Sequence, residues 1–455
     1  MKKEEKRIKS KYLEWMDGSV QFNLKSKILM NVKPKKEKRW IISLILWILS
    51  IVLFVSFIVF FTLTQQVDWK ESSIGTITPE YKGVTSEYFD GKLRPYSITM
   101  TLGIIVAAAF SVKNFLKKGL DINHLSIGVI IVMPSALFMA SFFGKYGRGS
   151  ESFIQLFYFW NGGMAIHGGF IGAMLSGVPL FYYFSKRSKV SVLVYADAIL
   201  PNVLLGQVIG RWGNFFNHEV MGKPLKVLAK SWDSNWANID SSGMWLPKWI
   251  TNNTTMVASS SGSVDGVSYN PGDLLQMNPI FFWESLALLI CWFIIVFIIP
   301  NIGKWISVKP WKEYPTKYKI TRNKFGYSNK NIVWNQAYYR SEDNNKTLYL
   351  SENKSSNKYK ESLRISKANN LFEYSSTKSG ITSFSFVFLW NLVRFCLELQ
   401  RPDDHLFWNG SKTISLILIF LTMMIGLGGI LVCQYLLPRY FRKNGYLYEK
   451  EYFTI

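Results

Sequence analysis

The chain has very little cysteine and shows no internal repeat. Its three cysteines, Cys291, Cys396 and Cys433, all lie within apolar stretches of the 455-residue sequence. This placement gives no support to a disulfide framework or a metal site, and we expect Cys396 to be a buried structural thiol rather than a reactive one. The lack of an internal duplication disfavours the repeat architecture of many transporters.

Acidic residues are also comparatively few. The chain has 30 Asp and Glu against 53 Lys and Arg, which gives a net charge of +23. Such a charge can indicate nucleic-acid binding, but no nucleic-acid-binding motif accompanies it and the basic residues flank apolar stretches. We therefore expect the anionic headgroups of a lipid bilayer, and not nucleic acid, to be the partner of this charge.

Long apolar runs are the dominant feature of the sequence, which is 49% hydrophobic and 16% aromatic. Charges gather in a few blocks, and this pattern excludes a soluble enzyme. Eight windows are long enough, or nearly so, to cross about 30 Å of hydrocarbon. They are residues 40–64, 96–113, 126–143, 165–184, 190–209, 279–299, 383–399 and 413–437. We predict an all-α integral membrane protein, a polytopic bundle of about eight transmembrane helices with a small extracytoplasmic cap.

The distribution of basic residues predicts the orientation. With a cytoplasmic N-terminus, the inside segments carry roughly three times the Lys and Arg of the outside segments. Eight spans then return the C-terminus to the cytoplasm and place the polar clusters described below on the outer side. The predicted organisation is a basic cytoplasmic segment (1–39), an extra N-terminal transmembrane anchor (40–64), an extracytoplasmic loop (65–95), a transmembrane core (96–300) with a cap at 211–278, a polar basic cytoplasmic insertion (301–382), the C-terminal part of the core (383–437) and a cytoplasmic tail (438–455).

Three of these segments have a distinctive composition. The first forty residues are too long and too basic for a signal peptide, so we interpret the first span as a permanent anchor. Residues 311–380 are rich in Asn, Lys, Ser and Tyr, which predicts a loosely structured insertion. Within the cap, residues 259–266 read SSSGSVDG, and we expect a flexible loop there.

Polar residues cluster at the outer ends of three predicted spans. Residues 206–222 read GQVIGRWGNFFNHEVMG, and residues 160–172 read WNGGMAIHGGFIG. The third cluster, RFCLELQRPDD, starts at Arg394, which shares a helical face with Glu398. Such a pair is either a buried ion pair that ties helices together or part of a site. Two arginines and a histidine at one depth would converge on an anionic group.

These residues carry a resemblance to a known family: the chain resembles the bacterial prolipoprotein diacylglyceryl transferases. The family signature GRxGNFxNxExxG is matched without a gap by Gly210, Arg211, Gly213, Asn214, Phe215, Asn217, Glu219 and Gly222. The GGMxxHGGxxG element is matched by Gly162, Gly163, Met164, His167, Gly168, Gly169 and Gly172. The RFxxExxRxPD element is matched by Arg394, Phe395, Glu398 and Arg401, followed by Pro402 and Asp403 without the residue that the pattern has before its proline. Asp197 and Pro201 resemble the DxxxP segment, and Tyr96 the tyrosine that opens the first family span.

The resemblance covers roughly residues 90–300 and 383–437 and departs elsewhere. The anchor and the insertion at 311–380 look like additions. The family element HPxQxYE is present as NPIFFWE, which keeps Pro279 and Glu284 but loses the His, Gln and Tyr. An arginine usual in the second span is absent from residues 135–143. These departures affect how the donor lipid is bound more than the type of reaction.

The resemblance implies a reaction. A diacylglyceryl group of phosphatidylglycerol is transferred to the cysteine thiol of a lipobox-containing prolipoprotein signal peptide, at the outer face of a bacterial plasma membrane. The reaction forms a thioether and releases glycerol phosphate. No cofactor or metal is implied. A thiol needs a base or a positive field to become the thiolate, and guanidinium groups stabilise a departing phosphate.

The resemblance also implies roles for individual residues. Arg211 and Arg394 are expected to bind the phosphate, with His167 as the candidate base for the thiol. His167 has two alternatives, a hydrogen bond to the headgroup or a structural role. Glu219 and Glu398 either hold the arginines or accept a proton. The expected substrate-binding residues are Tyr96, Gly168, Gly169, Asn214, Asn217, Gly222 and Arg401. A lone interfacial tyrosine is more often a membrane anchor, and helix packing is the default explanation for the glycines.

Two other functions remain open from the sequence. In a lipid transporter or flippase, the same arginines would line a headgroup pathway and no bond would form. A noncatalytic homologue would bind lipoprotein precursors without changing them, and the altered NPIFFWE element keeps that alternative open.

Overall fold

Seven long α-helices make up most of the described part of the chain. The computed structural model describes residues 49, 52, 56, 66–71, 77–82, 95–118, 120–146, 152–158, 165–216, 221–230, 246–251, 254–321, 328–330, 333, 357–360, 362–363, 375, 377–400, 411–442, 446 and 448. The long helices are α1 (Pro95–Lys118), α2 (Ile122–Lys145), α3 (Ile166–Ser188), α4 (Val192–Phe216), α5 (Ile280–Phe293), α6 (Ile381–Glu398) and α7 (Lys412–Leu431). Helix α5 continues through a π-helical turn (Ile294–Ile298), a 3-10 turn (Ile299–Asn301) and a last helical turn (Ile302–Ile306), and α7 through Val432–Leu436 and Leu437–Tyr440.

The described strands are short and lie outside the helical bundle. Strands β1 (Gln66–Glu71) and β2 (Ile77–Lys82) form an antiparallel pair. Between α4 and α5, β3 (Pro224–Ala229), β4 (Thr255–Val257) and β7 (Leu274–Met277) form an antiparallel sheet in the order β3-β7-β4, and β5 (Gly262–Val264) pairs with β6 (Val267–Tyr269). Short helices occupy Gln155–Phe157, Lys248–Thr251 and Pro310–Glu313.

The prediction of a helical membrane protein is confirmed. Six of the described helices are long and apolar enough to cross a membrane, namely α1, α2, α4, α5, α6 and α7. Helix α3 coincides with the predicted span at 165–184 but is not among the six. Of the predicted first span at 40–64, only Leu49, Val52 and Ser56 belong to the described residues, and each is helical. The predicted count of about eight spans therefore stays a prediction.

Helix α4 lies at the centre of the bundle. It packs against α1, α5 and α6, while α2 packs along α3 and α6 along α7. Half of the apolar window of α4 and of α6 is buried, compared with 17% of that of α7. Between these helices the buried residues Leu204, Leu288, Ile295 and Phe386 form one apolar cluster. The two most buried helices are thus the two that carry the arginines of the predicted site.

Helices α1 and α4 approach each other closely at a pair of glycines. A Cβ atom built on Gly103 would lie only 2.5 Å from the carbonyl oxygen of Gly206. Small residues allow helix backbones to come this near within a membrane, where dispersion contacts drive association. The crossing therefore fixes α1 against the central helix.

A buried carboxylate joins the start of α6 to α4. Asp197 is 3% exposed and accepts hydrogen bonds from the Gly380 amide (2.7 Å), the Thr382 hydroxyl (2.6 Å), and the Ser383 amide (2.8 Å) and hydroxyl (2.6 Å). These amides belong to the first turn of α6, where backbone N–H groups lack helical partners and the helix dipole favours a negative charge. Gly380 takes a positive φ of 96°, which only glycine adopts at low cost. Asp197 therefore caps α6 from the neighbouring helix.

Two expectations from the sequence are wrong. Cys396 is exposed on α6, because Arg394 and Glu398 occupy the buried face of the same helix and position 396 points away from it. The flexible loop expected at 259–266 is largely the β5–β6 hairpin. Asp265 and Gly266 take positive φ values of 49° and 77° at its turn, as an Asp-Gly hairpin turn requires.

The α1–α4 crossing predicts a specific sensitivity to a single methyl group. Gly103→Ala should destabilise the protein by about 2 kcal/mol, because the new Cβ meets a backbone oxygen that cannot rotate away. Thermal unfolding of the purified protein in detergent measures the effect. Gly428→Ala is the matched control, since a Cβ on Gly428 of α7 meets nothing within 4 Å. Equal stability of the two variants would contradict the tight crossing.

Candidate active site

A buried ion pair connects α4 to α5. Arg211 Nη2 lies 2.7 Å from Glu284 Oε1, and the two side chains are 15% and 3% exposed. At this distance the contact is a close ion pair, and its attraction is stronger in this largely water-excluded region than it would be in water. Pairing lets a charged residue remain within an apolar bundle. This explains why α4 continues to Phe216, past the predicted end of the span at 209, so that Arg211 lies inside the helix and not in the cap.

Contacts on either side of this pair hold α5 in register with α4. One helical turn before Arg211, the Val208 carbonyl accepts a hydrogen bond of 2.9 Å from the Ser285 hydroxyl. Toward the cap, Phe215 packs against Phe281 with ring centroids 5.4 Å apart, and both side chains are fully buried. The ion pair therefore lies between a polar contact and an aromatic cluster, and this arrangement restricts the movement of both charges.

A second ion pair lies on α6. Arg394 Nε is 3.1 Å from Glu398 Oε2, with side-chain exposures of 8% and 0%. The pairing predicted from the four-residue spacing is thus confirmed. Glu284 and Arg211 also act electrostatically on Arg394, so the two pairs form one cluster of two positive and two negative charges. We call these four residues the charge cluster.

The junction between the cap and α5 is fixed by backbone contacts. The Gly222 amide donates to the Asn278 carbonyl at 2.7 Å, and the Asn278 amide donates to the Lys223 carbonyl at 3.1 Å. A Cβ on Gly222 would lie 2.8 Å from Ile280 Cδ1, so the position has little space for a side chain. Close packing thus accounts for this glycine of the family signature, and its contact with substrate stays a prediction.

The remaining predicted site residues are described to different extents. Asn214 is 7% exposed and lies three residues after Arg211 on α4, on the same face. A Cβ on Gly168 would lie 2.3 Å from the Met139 carbonyl oxygen of α2, whereas one on Gly169 would make an ordinary contact at 3.5 Å with Ala140 Cβ. Tyr96 and His167 lie in the first turns of α1 and α3, but their side chains are outside the described part of the structure, as are Asn217, Glu219 and Arg401 entirely.

Glu284 is the candidate site residue that the sequence prediction left out. Its signal was present, since a glutamate in the apolar helix sequence IFFWESLALL requires a partner. Within the altered NPIFFWE element, Asn278 Oδ1 accepts from the Trp283 indole N–H at 3.1 Å, which keeps the asparagine in a local structural contact.

Lys145, in the last turn of α2, is a further buried cation that is not part of the charge cluster. Lys145 is 7% exposed, and its ammonium donates to the carbonyls of Gln155 at 3.2 Å and Tyr158 at 2.8 Å. Lys145 therefore holds the segment 155–158 against the end of α2. The second-span arginine that is usual in the family has no counterpart at 135–143. Within that stretch, Ser141 has a buried hydroxyl without a hydrogen-bond partner among the described residues.

Comparison with known proteins agrees with this geometry. A family model described as prolipoprotein diacylglyceryl transferase matches residues 85–322, just over half of the chain. The chain belongs to this family. The match contains α1 to α5 and hence Arg211 and Glu284 of the charge cluster. It ends before α6, yet α6 packs directly against α4 and α5 and completes the cluster with Arg394 and Glu398.

Several relatives carry the name phosphatidylglycerol–prolipoprotein diacylglyceryl transferase. The chain is 33% identical to that of Halalkalibacterium halodurans over 133 residues, which is 29% of this chain and 45% of the relative. It is 33% identical to that of Lysinibacillus sphaericus over 163 residues (35% and 54%) and 31% identical to that of Oceanobacillus iheyensis over 209 residues (45% and 60%). The chain therefore spans about half the length of these relatives.

The charge cluster predicts a nonadditive mutational response. Glu284→Gln should destabilise the protein by about 3 kcal/mol, because it leaves the Arg211 guanidinium buried without its counter-charge. The double variant Glu284→Leu with Arg211→Leu should be less destabilised than Glu284→Gln, since no unpaired charge remains. Unfolding temperatures in detergent measure both effects.

The control for this series is Glu313→Gln, which removes an exposed carboxylate from the described chain far from the cluster. We expect it to change the stability by less than about 0.5 kcal/mol. If Glu284→Gln were as stable as this control, the ion pair would not hold α4 to α5.

Proposed function

We propose that the chain transfers the sn-1,2-diacylglyceryl group of phosphatidylglycerol to the lipobox cysteine of prolipoproteins, the first step of lipoprotein maturation. The observation that supports this most strongly is the charge cluster, which gathers two guanidinium groups inside an apolar bundle in a member of this family. Buried arginines are costly and call for a function, and a lipid phosphate is the anion that a membrane supplies at that depth.

In the proposed reaction, the cysteine sulfur attacks the glycerol carbon that carries the phosphate ester. A carbon–sulfur bond forms and the carbon–oxygen bond breaks. The electron pair of the broken bond leaves on the phosphate oxygen of glycerol phosphate, and the thiol proton passes to a base. The reaction requires no oxidant, reductant or cofactor. Catalysis therefore depends on making the thiolate and on stabilising the negative charge of the departing phosphate.

Arg211 and Arg394 are suited to the second task. Each guanidinium has five N–H donors in a planar fork, and one carboxylate engages at most part of them. The remaining donors can bind phosphate oxygens while Glu284 and Glu398 hold the fork in place. Because the cluster is buried, its hydrogen bonds act in a medium of low dielectric, where they stabilise developing charge more than in water. The two glutamates are therefore positioning residues in this proposal.

The thiol base is a separate assignment. Glu284 and Glu398 are assigned instead to holding the two arginines through their ion pairs. We assign the base to His167, at the start of α3, and headgroup orientation to Asn214 and Asn217. The remaining predicted contacts, Tyr96, Gly168, Gly169, Gly222 and Arg401, complete the proposed substrate site, and Glu219 either holds the arginines or accepts a proton.

The proposed location follows from the charge distribution. Arg211 and Arg394 lie near the C-terminal ends of α4 and α6, the ends that the positive-inside rule places outside. Both chain termini would then be cytoplasmic. A lipobox peptide presented from the outer side of a bacterial plasma membrane would meet the lipid headgroup at this end of the bundle.

Mass spectrometry tests the reaction directly. A lipobox peptide is incubated with the purified protein in micelles that contain phosphatidylglycerol, in parallel with the same peptide in which serine replaces the cysteine. We expect the cysteine peptide alone to gain the mass of a diacylglyceryl group. A lipid transporter would be indifferent to the cysteine, and a noncatalytic binder would retain the peptide with unchanged mass. Either result from folded protein would refute the proposal.

The role of the guanidinium fork predicts the effect of a charge-conserving change. Arg394→Lys should lower kcat by about 100-fold, because an ammonium keeps the charge but loses the bidentate geometry. The same mass-spectrometric assay provides the rates. Arg187→Lys is the matched control, since Arg187 is exposed at the C-terminal end of α3, and the predicted site lies at its N-terminal end. Equal rates for the two variants would show that Arg394 does not contact the phosphate.

A further inference from the structure

A pocket of about 230 Å³ lies at the opposite end of the bundle from the charge cluster. It is formed where α3 ends, α4 and α6 begin, and the extension of α7 ends, so four helices converge on it. This volume is below that of a typical site for a drug-sized molecule and suits one small polar group. The pocket is about a full helix length away from Arg211, because Arg211 lies near the other end of α4.

The side chains of the pocket carry positive charge. Lys186, Lys378 and Arg442 line it, and its described lining residues include neither Asp nor Glu. Arg442 is 6% exposed, and its guanidinium lies over the Tyr448 ring at 5.3 Å, while Lys186 lies over the Tyr182 ring at 4.5 Å. Aromatic rings thus orient two of the three cations. A group that enters the pocket meets a positive field.

A buried hydroxyl provides independent support for a ligand. Ser379 is 6% exposed and lines the pocket, and its Oγ has no hydrogen-bond partner among the described residues. Buried polar groups of folded proteins are nearly always hydrogen-bonded, so an unsatisfied one calls for a missing partner. A hydroxyl beside three cations is able to donate to the oxygen of an anion.

The helix dipoles do not determine the sign of the field. The N-terminal ends of α4 and α6 are positive, but the C-terminal ends of α3 and the α7 extension are negative, and Asp197 already occupies the start of α6. These contributions oppose each other. The charge of the pocket therefore comes from Lys186, Lys378 and Arg442.

The pocket opens at the level of a membrane interface. Tyr182, Tyr440 and Phe441 are exposed by 52%, 47% and 65% around this end of the bundle. Exposed aromatic residues, tyrosine above all, collect at the level of lipid headgroups. The positive-inside rule assigns this end to the cytoplasmic leaflet, whose anionic headgroups attract basic residues.

We propose that the pocket formed by Lys186, Lys378, Ser379 and Arg442 is a second anion site that binds a phosphate group, separate from the charge cluster. The phosphate belongs either to an anionic lipid headgroup of the cytoplasmic leaflet or to a small soluble phosphate. The cations neutralise its charge, and the Ser379 hydroxyl donates to one of its oxygens. Binding there would link α3, α4, α6 and α7 at the end where the Asp197 cap lies.

The test uses the full-length protein with two probes. The first is inorganic phosphate, titrated while the unfolding temperature is measured in a zwitterionic detergent. The second is phosphatidic acid, an anionic lipid other than the proposed donor, in phosphatidylcholine nanodiscs, with lipid retention measured by native mass spectrometry. Lys378→Gln and Ser379→Ala should each weaken binding about tenfold, the loss expected for one charge-assisted hydrogen bond.

Lys113→Gln is the matched control, because it removes an exposed lysine from α1 at the same predicted side of the membrane. It should bind like the unaltered protein. Selective retention of phosphatidic acid identifies the lipid source, and stabilisation by inorganic phosphate alone identifies the soluble source. Binding that is equal in all variants, or that Lys113→Gln weakens as much as Lys378→Gln does, would overturn the proposal. These measurements do not involve diacylglyceryl transfer, so their failure is distinct from failure of the proposed function.

Discussion

Compensation of buried charge is the constraint on which the rest of this structure depends. Arg211 lies inside α4 because Glu284 of α5 neutralises it at 2.7 Å, and Arg394 lies inside α6 because Glu398 does the same at 3.1 Å. An unpaired arginine at these positions would cost several kcal/mol and would favour a shorter helix or a displaced one. The pairs thus stabilise three helices and also hold the guanidinium groups that the proposed chemistry uses.

At the other end of α4 and α6, the hydrogen bonds of Asp197 fix how the two helices are aligned along their axes. Asp197 binds the first turn of α6, and fourteen residues later α4 carries Arg211. From Thr382 to Arg394, α6 rises by about 18 Å, and from Asp197 to Arg211, α4 rises by about 21 Å. The two arginines therefore arrive at similar depth because the helices begin together and run in the same direction.

The cap and the long connection between α5 and α6 both depend on the packing of α4, α5 and α6. The Gly222–Asn278 backbone contact joins the cap to the start of α5, and the Phe215–Phe281 contact joins α4 to α5 on the cap side of the Arg211–Glu284 pair. Residues 307–380 separate the continuation of α5 from α6 along the chain, yet α6 packs against α4 and α5. A long connection costs little in loop-closure entropy once the helices bury their apolar faces.

The sequence by itself determined the membrane class, six of the spans, the family and the pairing of Arg394 with Glu398, because apolar length, motif spacing and helical periodicity are local properties. It missed the β5–β6 hairpin although Asp265-Gly266 is a local signal, and it misplaced Cys396 although the spacing of Arg394 and Glu398 defines the buried face of α6. Only the tertiary structure identified Glu284 as the partner of Arg211, Asp197 as the cap of α6, and the cationic pocket of Lys378 and Arg442. Each of these joins residues far apart in the chain, and such contacts depend on how the helices pack.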